Sequence, residues 1–184
     1  LPLARISGAR LHVRSARDRL HLIVSGMFAC GGFGALSAIA ILYTSTGRVA
    51  ICTYTMPIWV VLLARIVLKE ALTPARLLAL ALCSLGLLVL LWPLLQAGLS
   101  IGALAAIGSA LSWAIGIIYL KWARIDAHPL TIAIYQIFAG ALVSAVGMIA
   151  TGLGLAPEIG ALPWLGLLYG IVAGTAFGYL VWFK

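Results

Sequence analysis

Long uncharged apolar stretches alternate with short polar ones along this chain, and that rhythm predicts helices that cross a bilayer. Residues 22–43 carry no charge. At 1.5 Å per residue such a stretch crosses about 30 Å of hydrocarbon. The segment TSTGR then turns the chain, and residues 49–68 form a second apolar stretch, with Arg65 close enough to its end to snorkel. KEALTPAR makes the next loop, in which Thr73-Pro74 suits a helix start. No charge falls between Arg76 and Lys121. As a single helix that run would measure about 66 Å, so it must fold back once. Pro93, Gln96, Gly98 and Ser100 mark the turn, which divides it into residues 77–95 and 101–120. KWARIDAHP is a polar loop, residues 130–150 are a fifth span, and TGLGLAPEIGA is a Gly/Pro loop. Residues 162–183 are the sixth, closed by Lys184. The pattern predicts an all-α integral membrane protein with six transmembrane helices.

The last span carries Gly166, Gly170, Gly174 and Gly178 at four-residue spacing, one stripe at helical pitch. In water so many glycines weaken a helix, by about 1 kcal/mol each relative to Ala. In lipid a stripe of small residues lets two backbones approach closely. Gly26, Cys30, Gly34 and Ala38 repeat the spacing in the first span. Laying SGMFACGGFGAL on YGIVAGTAFGYL pairs Gly26 with Gly170, Phe33 with Phe177 and Gly34 with Gly178, at an offset of 144 residues. An internal duplication accounts for this. The plainer alternative is two packing helices that resemble each other by composition.

Composition agrees with a bilayer as solvent: 64% of residues are hydrophobic, 9% are charged and mean hydropathy is +1.18. The net charge of +8 does not point to nucleic acid, because the bases sit between apolar blocks and form no patch. They fix an orientation instead. With six crossings, every Lys and Arg except Arg48 falls on one side, so the N-terminal loop is expected in the cytoplasm. Trp92, Trp122 and Trp164 fall at span ends, as an interfacial belt requires. Cys30, Cys52 and Cys83 lie in apolar stretches without ligand spacing, so neither disulfides nor a metal are expected, and no cofactor is implied. Residues 1–21 are basic and lack the apolar core of a signal peptide. LPLARISG reads as the tail of an earlier helix, and the absence of an initial Met suggests a fragment. The two striped spans run in opposite directions, the arrangement of inverted-repeat transporters. Moved by the offset, the remaining spans run past both ends of the chain. A ten-helix (5+5) parent that has lost four helices is therefore expected.

The block GRVAICTYTMPIWVVLLARIVLKEALTPARLLALALCSLGLLVLLWP resembles the EamA family of the drug/metabolite transporter superfamily. The matching features are Pro57 in mid-span, Glu70 followed by Leu72-Thr73, and Gly86 in the next helix. Gly102, Ala110, Trp113-Ala114 and Lys121 resemble the opening of a second repeat, and Gly174-Thr175-Ala176 with Tyr179 and Trp182 its third helix. Two positions depart: Lys69 and Ala79 stand where the family usually has glycine. The resemblance implies two inverted five-helix repeats. Residues 22–95 would be the last three helices of the first repeat and 101–184 the first three of the second. It also implies a secondary transporter, read here as an exporter of small metabolites, amino acids or drugs. Such a protein works by alternating access across the bacterial inner membrane.

Pro57 cannot donate to the Thr53 carbonyl, and its ring displaces that carbonyl. Thr53, Tyr54 and Pro57 share a face that could line a polar cavity, or form a kink healed by a hydroxyl. Ser109, Ser112, Trp113 and Gly116 make one stripe of the fourth span; Ala133, Gln136, Gly140, Ser144 and Gly147 make one of the fifth. Such stripes also serve as helix contacts. With their aromatic neighbours they suggest that Tyr54, Trp113, Gln136 and Tyr179 face a small-molecule substrate. Gly26, Gly34, Gly166, Gly170, Gly174 and Gly178 are the expected helix-packing positions, compatible with a homodimer. No Asp, Glu or His lies deep in a span, so a carboxylate proton relay is absent from these helices. Glu70 reads as a loop ion pair with Lys69 or as a helix-end contact. Gly98-Leu99-Ser100-Ile101-Gly102 matches the serine-hydrolase elbow pattern but opens a membrane helix away from every His, so an enzyme is not expected. The competing class is a non-transporting membrane assembly or dimerisation module.

Overall fold

The computed structural model describes residues 13, 15–96, 98, 100–152 and 160–170. Its described elements are α1 (Ala16–Gly26), a π-helical segment (Met27–Gly32), α2 (Phe33–Tyr43), α3 (Thr46–Thr53), α4 (Met56–Val67), α5 (Pro74–Gln96), α6 (Ile101–Ala123), α7 (Pro129–Thr151) and α8 (Ala161–Tyr169). There is no strand among the described residues. Among the described residues five stretches are long and apolar enough to cross a membrane: Ala16–Tyr43, Thr46–Val67, Pro74–Trp92, Ile101–Ala123 and Pro129–Thr151. This is an all-helical, multi-pass membrane protein. Of the expected sixth span, α8 is described; Gly174, Gly178 and Tyr179 lie outside the described residues.

The first span begins earlier than the apolar pattern suggests. Ser15 is extended and its hydroxyl accepts from the backbone N–H of Asp18 at 3.3 Å, while Asp18 places an acid in the first turn. Both satisfy the positive end of a helix. The helix therefore starts at Ala16 and carries Arg17, Asp18, Arg19 and His21. Pattern reading stops at charge; a capped, polar first turn does not.

The span from Ile101, α6, is the column on which the other helices pack. It touches α1, the π segment, α2, α3 and α4. Its buried positions are nearly all small, among them Gly102, Ala106, Ala110, Ala114 and Gly116. Without a hydrophobic drive between helices in lipid, contact area comes from backbones that approach closely, and small residues permit that. A Cβ on Gly116 would lie 2.5 Å from the Ala29 backbone nitrogen, and one on Gly26 would lie 2.6 Å from the Cα of Gln136 in α7. Gly140 meets Cys30 in the same way, at 2.7 Å.

The π segment alters the stripe read from the sequence. A π turn closes i to i+5 and holds an extra residue, so everything after it is rotated about the helix axis. Gly26 is buried and Cys30 half-buried, but Gly34 and Ala38 are exposed, and nothing lies within 4 Å of a Cβ on Gly34. Gly31 and Gly32 make the close contacts instead, with Val143 and the Ser112 hydroxyl.

The third long span, α5, lies loosely against α3 and α4, and Leu87 is its only buried residue among those described. The chain enters it through a left-handed residue, Lys69, at φ +55°. This is where the family resemblance expects glycine, just past the end of α4. A side chain there costs about 1 kcal/mol. Lys69→Gly is expected to stabilise the protein by about that amount, read as a raised midpoint in thermal unfolding in detergent.

Candidate functional site

Among the described residues the second span is broken and the first widens into a π segment, and the chemistry of the fold gathers around those two features. In the second, α3 ends at Thr53 and α4 begins at Met56, with Pro57 in its first turn. Pro57 has no N–H for the carbonyl one turn earlier. Neighbouring hydroxyls support the broken backbone. The buried Thr55 side chain donates to the Cys52 carbonyl at 2.7 Å and accepts from the Trp59 indole at 3.2 Å. Thr53 donates to the Ala50 carbonyl at 2.8 Å. Tyr54 sits at the break and is 66% exposed. Pro57 itself forms part of a cavity wall, described below.

In the first span the π segment faces α6 and α7. Ser112 of α6 donates to the Phe28 carbonyl at 2.9 Å. One turn before it, Ser25 donates to the Gly116 carbonyl at 2.9 Å and accepts from the Gln136 side-chain amide at 2.9 Å. Ser25 and Gln136 are buried. This chain of bonds joins α1, α6 and α7 at the level where their glycines meet. Gln136 is therefore part of a three-helix junction. Trp113 is half-buried on α6 and neighbours Ser112. Tyr54 lies at the break of the second span and Gln136 within α7, and Tyr179 is outside the described residues, so the four expected substrate contacts are not seen gathered in one place. Ser25 was not singled out from the sequence. Its partner Gln136 is 111 residues away, and only the packing of the spans brings them together.

Gly166 and Gly170 of the expected packing stripe are exposed, with nothing within 4 Å of a Cβ at either. Ser100, the serine of the elbow-like pattern, caps α6: its hydroxyl accepts from the Ala103 N–H at 3.2 Å.

At one end of the bundle a cavity of about 540 Å³ opens between α4, α5 and α6. Pro57, Val61, Leu80, Cys83 and Ile117 form its apolar depth, and Arg65, Glu70, Arg76 and Lys121 its mouth. Glu70 pairs with Arg76 at 3.2 Å and with Lys121, not with the adjacent Lys69. Thus one loop carboxylate joins the start of α5 to the end of α6. The hydrogen bond from Lys121 is the main reason the Glu70 carboxyl is held below its usual range; the charges of Lys121 and Arg76 add to it, and partial burial opposes it. On the other side of α6, His21 shares a 2.6 Å hydrogen bond with Tyr119, and the Trp122 ring stands edge-on to His21 and tilted against Tyr119.

Comparison with curated proteins and with solved structures returned no match. A family model described as the EamA-like transporter family matches residues 1–92 and 100–184. Those two stretches meet at the turn between α5 and α6. With its apolar spans, its proline-broken helix and its Glu70 loop, the chain belongs to the EamA-like transporter family, within the drug/metabolite transporter superfamily.

Proposed function

We propose that this chain forms part of a secondary transporter, exporting small metabolites, amino acids or drugs by alternating access. The membership of the family carries the reading. The break before Pro57 in the middle of the second span supports it, because transporter sites are commonly built where a span is broken and backbone polar groups are freed. The family match in two stretches also supports two related halves, which an odd number of spans per half would set in inverted orientation. The basic residues around Glu70 favour that end as the cytoplasmic one, in a bacterial inner membrane.

Tyr54, Trp113, Gln136 and Tyr179 remain the proposed substrate contacts. The exposed ring of Tyr54 and the half-buried ring of Trp113 suit an aromatic wall. Gln136 acts there through the Ser25 junction, as a residue that positions helices as well as an anchor.

Counterflow of labelled amino acids and small metabolites in proteoliposomes tests the reading. Tyr54→Ala and Trp113→Ala are expected to lower flux at least tenfold with little change in thermal stability. Gln136→Leu is expected to lower both flux and stability, the latter by about 1 kcal/mol, the scale of a hydrogen bond between spans. No flux above empty vesicles for any substrate class, with a folded protein, would favour a non-transporting assembly module instead.

A further inference from the structure

We propose that the cavity between α4, α5 and α6 is a binding groove for one anionic phospholipid. One of its two acyl chains would lie along Pro57, Val61 and Cys83, and its phosphate would sit on Arg65, Arg76 and Lys121. This inference does not depend on whether the chain moves a solute.

The dimensions favour a lipid. The groove runs along α4 from Pro57 to Arg65, which is about 12 Å at helical rise. One leaflet of hydrocarbon is about 15 Å deep. The cavity therefore reaches from mid-membrane to one interface, the path of a single acyl chain. At about 540 Å³, it lies within the usual range of ligand cavities, roughly 300–1,000 Å³. A small soluble anion would fill only the mouth and leave the apolar depth empty.

The charges favour a phosphate. Three cations line the mouth against one carboxylate, which leaves two positive charges in excess. Glu70 is already engaged by Arg76 and Lys121. Among the described residues Arg65 has only a backbone partner, the Glu70 carbonyl at 3.4 Å, which leaves most of its guanidinium donors for a ligand. Arg76 and Lys121 have side chains 57% and 59% exposed, so they too can reach a headgroup. Basic pockets between spans at the membrane surface are recurrent sites for anionic headgroups. Because α5 leans so lightly on its neighbours, little packing opposes a lipid that enters from the bilayer.

The test uses the protein in nanodiscs of phosphatidylcholine doped with spin-labelled phosphatidylglycerol or spin-labelled phosphatidylcholine. The fraction of label immobilised by the protein is measured. Phosphatidylglycerol is expected to be preferred about fivefold or more. Arg65→Gln, which leaves both Glu70 ion pairs in place, is expected to lower that preference about fivefold, the scale of one basic residue at a membrane surface. Arg65→Lys should retain most of it, and Arg48→Gln, in the first turn of α3 at the other end of the second span, should change nothing. Cys83→Trp fills the groove and should release both labels. Equal immobilisation of the two lipids would overturn the proposal. So would an Arg65→Gln variant with undiminished preference, or displacement of the label by millimolar inorganic phosphate. Failure to immobilise either label would mean that another helix or a second copy covers the groove, and would overturn it too.

Discussion

Gly26→Ala is expected to destabilise the protein by about 2 kcal/mol, whereas Gly34→Ala is expected to stabilise it by up to about 1 kcal/mol. Both glycines belong to one stripe in the sequence, and only their surroundings differ. A Cβ on Gly26 would meet the backbone of Gln136 at 2.6 Å and the Ala139 side chain at 2.9 Å. Backbone cannot swing aside as a flexible side chain can, so α1 and α7 must separate. Overpacking of that kind costs up to about 3 kcal/mol, and the better helix propensity of alanine returns about 1 kcal/mol. At Gly34 nothing lies within 4 Å, and only the propensity gain remains. Gly26→Leu should prevent the folded state from accumulating at all. Thermal unfolding in detergent, followed by the reactivity of the free cysteine Cys52, which is buried, reads all three variants. Equal effects at positions 26 and 34 would show that the π segment does not rotate the stripe.

Thr55→Val is the second large effect, with an expected loss of about 2 kcal/mol. Valine keeps the shape and the branch of threonine but removes the hydroxyl. The Thr55 hydroxyl both donates to the Cys52 carbonyl and accepts from the Trp59 indole. Its removal leaves the indole N–H without that acceptor and strips a donor from the carbonyl. The Cys52 carbonyl still accepts from the Thr55 N–H at 3.2 Å, so the loss falls on the half-buried indole. An unpaired donor costs about 1–3 kcal/mol, and no water in the bilayer core replaces the lost partner. Thr55→Ser retains the hydroxyl and should stay within about 1 kcal/mol of the native protein. If Thr55→Val unfolded at the native midpoint, the break at Pro57 would not depend on that hydroxyl.

These two predictions locate the boundary between what the residues announce and what they do not. The break in the second span is legible, because proline lacks a donor wherever it stands; its support by Thr55 rather than Thr53 alone is not. The stripe of the first span is legible as a spacing, yet half of it faces away from the protein. Gln136 stands out as the only amide within a span, but its partner Ser25 gives no signal of its own. Glu70 is conspicuous as an acid at a span end, and the nearest base in sequence, Lys69, is not its partner. Lys69 is drawn instead into a left-handed backbone that points its neighbour toward Lys121, 51 residues away.

By itself the sequence determined the helical, multi-pass membrane class and the approximate positions of the first five spans. Those follow from transfer free energy and rise per residue, which are local quantities summed along the chain. Tertiary structure alone decided which small residues touch, where the first span widens, and that three cations and one carboxylate surround an apolar groove. Such facts depend on the rotation of each helix about its axis and on contacts between residues a hundred positions apart, and no spacing along the chain encodes either.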